Sequence, residues 1–203
     1  MIYINGVAKP KHADLTDVSL DDHHMSIHEK LLVGKWFTPA PAVATADTTS
    51  LNADKLYVYP LAIARALTID RLGLWVFGTA VGNARLGIYN DNGNVYPGSL
   101  LLDAGAVDTN GQGIKEIIIN QALTKGLYWL AIICSAGITV YKGQWAFSPL
   151  GRSNTTLKAI YSHYYKNGVG YGALPDPCPA GAGLTTSADA AYSSVFAHLA
   201  SLN

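Results

Sequence analysis

The sequence predicts an all-β protein, an antiparallel sandwich or barrel. Three observations carry that reading. Across residues 67–136, short apolar runs alternate with clusters of Gly, Asn, Asp and Pro, the turn formers. No long stretch with the apolar period of a helix interrupts them. Gly (20) and Tyr (12) are plentiful, while charged residues make up 14% of the chain, against about 25% in an average domain. A chain of 203 residues buries roughly 70% of its unfolded surface, so such a fold needs no disulfide staples.

The first 35 residues differ from the rest. Met1–Gly6 reads as a short strand ending in an Asn5-Gly6 turn. Residues 11–32 hold four of the six histidines. Ser19 with Asp22 three residues on resembles a capping box, which predicts a short helix from about Leu20 to Leu32. Residues 37–53 are small, polar and Pro-containing and read as an extended connector. The expected division is therefore an N-terminal segment (1–35), a linker (36–53) and a β domain (54–203).

Within that domain the expected strands are Lys55–Ile63, Leu67–Phe77, Ala84–Tyr89, Ser99–Leu102, Gly113–Asn120, Gly126–Ser135, Ile138–Gly143 and Ser193–Leu199. The turns Asn90–Asn94 and Asn110–Gly113 supply residues that tolerate positive φ. Pro97-Gly98 fits the centre of a type II turn. Alternation sends Ala84, Leu86 and Ile88 inward and puts Ile117 and Ile119 on one face. Leu127–Cys134 is apolar on both faces, so it belongs in the middle of a sheet. Residues 164–190 are rich in Gly, Pro and Ala with little pattern and read as a long contact loop.

Charge excludes some functions. Fourteen basic and 14 acidic residues cancel, and no basic stripe exists to neutralise phosphates, so nucleic acid is not an expected partner. The N-terminus lacks the basic-then-apolar order of a secretion signal. The longest apolar stretch, Leu127–Cys134, falls far short of the ~20 residues that span a bilayer, so membrane insertion is not expected. Cys134 sits in a strand and reads as a buried small hydrophobe. Cys178 sits in a loop, and a disulfide between the two stays open.

Residues 83–108, NARLGIYNDNGNVYPGSLLLDAGAVD, and 113–134, GIKEIIINQALTKGLYWLAIIC, together resemble a jelly-roll module of tailed-bacteriophage virion proteins. Residues 14–30, DLTDVSLDDHHMSIHEK, resemble a segment that recurs in phage tail-fibre and appendage proteins. The resemblance implies a jelly-roll-like sandwich behind a short extended or helical attachment segment. It implies a virion protein, assembled in the host cytoplasm, on a tail fibre or tail tip. Its partners would be its own copies in a homotrimer, other virion proteins through residues 1–35, and a host-surface glycan. A head fibre or decoration protein of the same build is the alternative, and a glycan-modifying enzyme the more distant one.

Candidate chemistry is sparse. His23, His24 and His28 lie beside Asp21 and Asp22. His24 and His28 would share a helix face, a spacing that chelates metal. No fourth ligand stands at a familiar spacing, which favours a polar inter-subunit segment over a metal site. No cofactor motif is present: Gly168–Gly172 has loose spacing and no following helix. Aromatic residues gather late, at Trp145, Phe147, Tyr161, Tyr164, Tyr165, Tyr171 and Tyr192, with His163 among them. Packing and sugar stacking both use such rings. Core and interface packing is the reading favoured for the group, and Tyr164, Tyr165 and Tyr171 are the candidates for surface or glycan contact. Ser194, His163 and Asp189 can be drawn as a triad, but no G-x-S-x-G elbow exists. Asp70, Asp91, Asp103 and Asp108 fall at strand ends and turns, where Asp is structural. The expectation is a protein that is not an enzyme.

Overall fold

The computed structural model describes residues 2–4, 7–9, 31–37, 42–78, 81–145, 150, 160–187 and 191–202. The chain divides into two compact units, Met1–Lys30 and Leu31–Asn203. In the first, β1 (Ile2–Ile4) pairs antiparallel with β2 (Val7–Lys9), Tyr3 opposite Ala8. The turn residues Asn5 and Gly6, and all but the end of the expected helix, lie outside the described residues. Leu31 and Leu32, at that end, have no regular secondary structure.

The second unit is all-β among the described residues. Its strands are β3 (Trp36–Phe37), β4 (Ala42–Leu51), β5 (Leu56–Ile63), β6 (Leu67–Val76), β7 (Asn83–Asp91), β8 (Pro97–Asp108) and β9 (Gly113–Leu123). They continue as β10 (Gly126–Cys134), β11 (Ile138–Trp145), β12 (Ile160–Lys166), β13 (Gly183–Ser187), β14 (Ala191–Ser193) and β15 (Phe196–Leu202). One sheet runs β13-β12-β5-β10-β7-β8. The other runs β14-β11-β6-β15-β3, with β4 also on β11 and β9 also on β6. The named strand pairs are antiparallel.

The sheets meet over one core, as alternation requires. Tyr59 and Leu61 of β5, Leu86 and Ile88 of β7, and Leu130 and Ile132 of β10 face Ile69, Leu72 and Leu74 of β6 and Leu199 of β15. This is a β-sandwich. Ala84, Leu86 and Ile88 point inward as expected, and Ile117 and Ile119 both pack against the core. β10 is central, between β5 and β7. Cys134 and Cys178 are both buried and free.

Three expectations are corrected. The connector at 37–53 contains a full strand: β4 pairs with β11, Thr49 opposite Val140, and β3 pairs with β15, Phe37 opposite Ala197. Thr and Val stiffen a strand without apolar alternation. Pro97-Gly98 is not a turn centre but opens β8, where Pro is tolerated as a first strand residue. The bend lies just before it, closed by Asn92 N–H donating to the Tyr96 carbonyl at 2.9 Å, with Gly93 and Val95 at positive φ. Third, the loop expected over 164–190 is shorter. Its start belongs to β12 and its end to β13, leaving residues 167–182.

Candidate functional site

The remaining loop, residues 167–182, is a strap. It lies across the outer face of the six-stranded sheet and seals a second apolar layer of Leu56, Val58, Tyr89, Trp129, Ala131 and Ile133 with its own Leu174 and Cys178. β10 is apolar on both faces because both faces are covered. Gly87 makes room for the strap: a Cβ there would stand 2.3 Å from Leu174 Cδ1 and 2.5 Å from the Leu102 carbonyl oxygen.

Polar contacts hold the strap along its length. Asp103 accepts from Arg85 Nε at 2.8 and 2.9 Å and from Leu174 N–H at 3.1 Å. Tyr89 Oη donates to the Pro175 carbonyl at 2.7 Å, and Tyr96 Oη to that of Pro179 at 2.8 Å. Asp176 accepts from Leu100 N–H, and Asp54 from Tyr171 N–H. Burial pushes the Asp103 carboxyl up, but the Arg85 hydrogen bond, with Leu174 and Gly105 N–H, outweighs it and holds the group below the usual range. Burial pushes the Cys178 thiol up to about 11 and the Cys134 thiol up to about 12, so both stay protonated and unreactive at neutral pH.

The expected contact tyrosines belong to this layer. Tyr164, on β12, packs its ring 5.4 Å from Trp129 and 4.8 Å from Tyr96, and its hydroxyl donates to the Val95 carbonyl. Tyr171 packs against the same apolar layer. Tyr165, also on β12, packs against the inner core, and Lys55 Nζ stands 3.7 Å from its ring centre. All three are half-buried. The structure brings Tyr164 and Tyr171 together, but as packing partners of β10.

His163 is 1% exposed, 4.7 Å from the ring of Tyr59 and 5.9 Å from that of Tyr57, with Nδ1 2.8 Å from Ser162 Oγ. Burial, with Lys55 nearby, pulls its pKa down to about 3. Ser194 Oγ lies 3.4 Å from Tyr59 Oη, and Asp189 lies outside the described residues. So do His23, His24 and His28. The other acids take structural roles. Asp91 accepts from Trp129 Nε1, Asp108 from Asn110 N–H, and Asp70 pairs with His198.

A second surface lies on the other sheet. On the outer face of the seven-stranded sheet, cross-strand register fixes the neighbours: Trp75 opposite Ile114, Gly73 opposite Glu116, Arg71 opposite Ile118. On the other side of β6, Phe196 stands opposite Gly73 and His198 opposite Arg71, with Trp36 opposite His198. Trp36 folds back over Gly73, where a Cβ would come within 2.7 Å of its ring. The result is a groove of about 210 Å³ lined by Trp36, Gly73, Trp75, Ile114, Tyr141 and Phe196. The sequence held one signal for it. Trp75 is out of phase with the inward Leu72, Leu74 and Val76, so it had to face outward.

No protein-family model matches the chain, and no curated protein is significantly similar to it.

Proposed function

We propose that this chain is a structural component of a tailed-bacteriophage virion, a tail-fibre or tail-tip appendage protein whose sandwich is a jelly roll and contacts the host surface. The observation that carries the reading is how the two resembling stretches sit in the fold. Residues 83–108 and 113–134 supply β7 to β10, and their most distinctive residues pair directly. Ile88 stands opposite Leu130, Tyr89 opposite Trp129 and Gly87 opposite Ala131. The motif residues therefore form one unit: Gly87, Tyr89 and Trp129 build the platform on which the strap docks. A sheet platform that carries a Gly- and Pro-rich strap suits a module that displays a loop on a rigid scaffold.

In this reading the strap is the contact element. Asn167, Gly168, Gly170, Ala173, Asp176, Pro177, Ala180 and Gly181 are its exposed residues; Tyr171 on the strap and Tyr165 on the adjoining β12 are half-buried. Residues 1–30, a separate unit, attach the chain to its neighbours in a homotrimeric assembly. The test is co-sedimentation. The protein should band with intact particles in a density gradient, and a chain lacking residues 1–30 should stay in the soluble fraction. A full-length chain found only in the soluble fraction would refute the reading.

A further inference from the structure

We infer that the strap is a hinged flap, which swings off the six-stranded sheet as one unit while the sandwich beneath it stays folded. In the proposed function the strap is the contact element, and the use made of its opening rests on that reading. The opening itself does not.

Connectivity permits the motion. The strap, residues 167–182, is the loop of a hairpin: β12 leads into it, β13 leads out, and Tyr165 stands opposite Gly183 at its base. β12 also pairs with β5, Tyr164 opposite Val58 and Lys166 opposite Leu56. Both ends of the strap are therefore held by ladders that an outward swing leaves intact. Beside those ends the backbone takes positive φ, at Gly168 (66°) and Gly170 (76°) on one side and Gly181 (70°) on the other. A Cβ at Gly168 or Gly170 would meet nothing, so glycine stands there for its backbone freedom and not for space. Hinges are built from a few such terminal positions.

The fastenings of the strap are separate from those of the sandwich. Among the described residues its backbone-to-backbone bonds to the sandwich are Val169 N–H to the Asp54 carbonyl and Cys178 N–H to that of Gly98. The rest are side chains that grip its backbone: Asp103 on Leu174 N–H, Asp54 on Tyr171 N–H, and Tyr89 and Tyr96 on the Pro175 and Pro179 carbonyls. Its fully buried apolar anchors are Leu174 and Cys178. No strap residue belongs to the core between the sheets. A segment with few buried apolar anchors and no ladder of its own opens at lower cost than the whole fold. Closed, it seals the outer face; open, it uncovers Tyr89, Trp129 and Ile133.

The two cysteines read the motion in the purified full chain. Cys178 lies under the strap and Cys134 between the sheets, both free and buried. Each is followed by peptide mass spectrometry during labelling with methyl methanethiosulfonate, in urea kept below the unfolding transition. Cys178 should label at least about tenfold faster than Cys134. Its rate should hardly change with urea, because the flap exposes little surface, while the Cys134 rate climbs as global unfolding does. Asp103→Asn weakens the hold on Leu174 N–H, and Tyr96→Phe removes the hydroxyl that binds the Pro179 carbonyl and Ala182 N–H. Each should speed Cys178 labelling at least about threefold. Equal rates with equal urea dependence at the two cysteines would overturn the inference, since the strap would then open only with the whole fold. So would a Cys178 rate that neither variant raises. Particle co-sedimentation is read separately, so either result fails without the other.

Discussion

Acidification from pH 7 to 4.5 isolates the contribution of His163. The ring is buried between Tyr57 and Tyr59 and held neutral, its pKa down to about 3, whereas in the unfolded chain it titrates near 6.5. The sign follows from which state takes the proton. Above about 6.5 neither state binds it and nothing is lost. As pH falls from there toward about 3, only the unfolded state is protonated, and folding stability drops by about 1.4 kcal/mol per pH unit. At pH 4.5 the unfolded state binds this proton about 100-fold more favourably than the folded one, a loss of about 2.7 kcal/mol; at pH 7 the loss is about 0.2 kcal/mol. The difference, about 2.5 kcal/mol, barely changes if the folded value is one unit lower or higher. Urea unfolding at both pH values, for the wild type and His163→Gln, reads it out. The variant will have its own packing cost at both pH values, but its fall in stability between them should be smaller by about 2.5 kcal/mol. Equal falls, within about 0.5 kcal/mol, would refute the picture of a neutral imidazole sealed in the fold.

The strap offers further tests. Gly87→Ala drives a methyl into Leu174 and the Leu102 carbonyl and should cost about 1–3 kcal/mol; an unchanged melting temperature would show that the strap shifts freely. Asp103→Asn removes the charge that holds Arg85 while Leu174 N–H loses a strong acceptor. It should destabilise by about 1–3 kcal/mol and speed amide exchange at Leu174 more than at Leu130, and equal exchange rates would contradict the clamp. Tyr164→Ala empties the space beside Trp129 and Tyr96 and should cost about 1–3 kcal/mol, whereas a ring serving only as a surface contact would be lost without effect on stability.

The sandwich was legible where side chains alternate and turns are chemically forced. Leu86 and Ile88 face inward because period-two spacing leaves no other choice, and Gly93, Gly111 and Gly113 do take positive φ. The central place of β10 followed from its two apolar faces, although what covered the outer one did not. The strap's Leu174 and Cys178 are too few, and too far along the chain, to announce themselves. β4 is not legible in the sequence because Thr48, Thr49 and Ser50 give no apolar alternation, yet its pairing with β11 needs only backbone groups. β12 and β13 were hidden by the Gly- and Pro-rich strap between them. β8 runs on through Asp103 and Gly105 because bulges let an edge strand carry such residues. The tyrosines stand out as a group in the sequence, but only the fold shows that the Tyr164 ring lies against Trp129. Trp36 and Gly73 meet across β15, so their groove exists only once the sheet is assembled.

Immunogold electron microscopy of intact particles, with an antibody to residues 31–203, tests the proposed function most directly. Gold should appear at the distal end of the tail, on every particle, and be absent from particles lacking this chain. Label on the head would place the same module in a capsid fibre and contradict the tail assignment. Particles that carry no label, while the protein is abundant in the same lysate, would contradict the claim that it is a virion component at all.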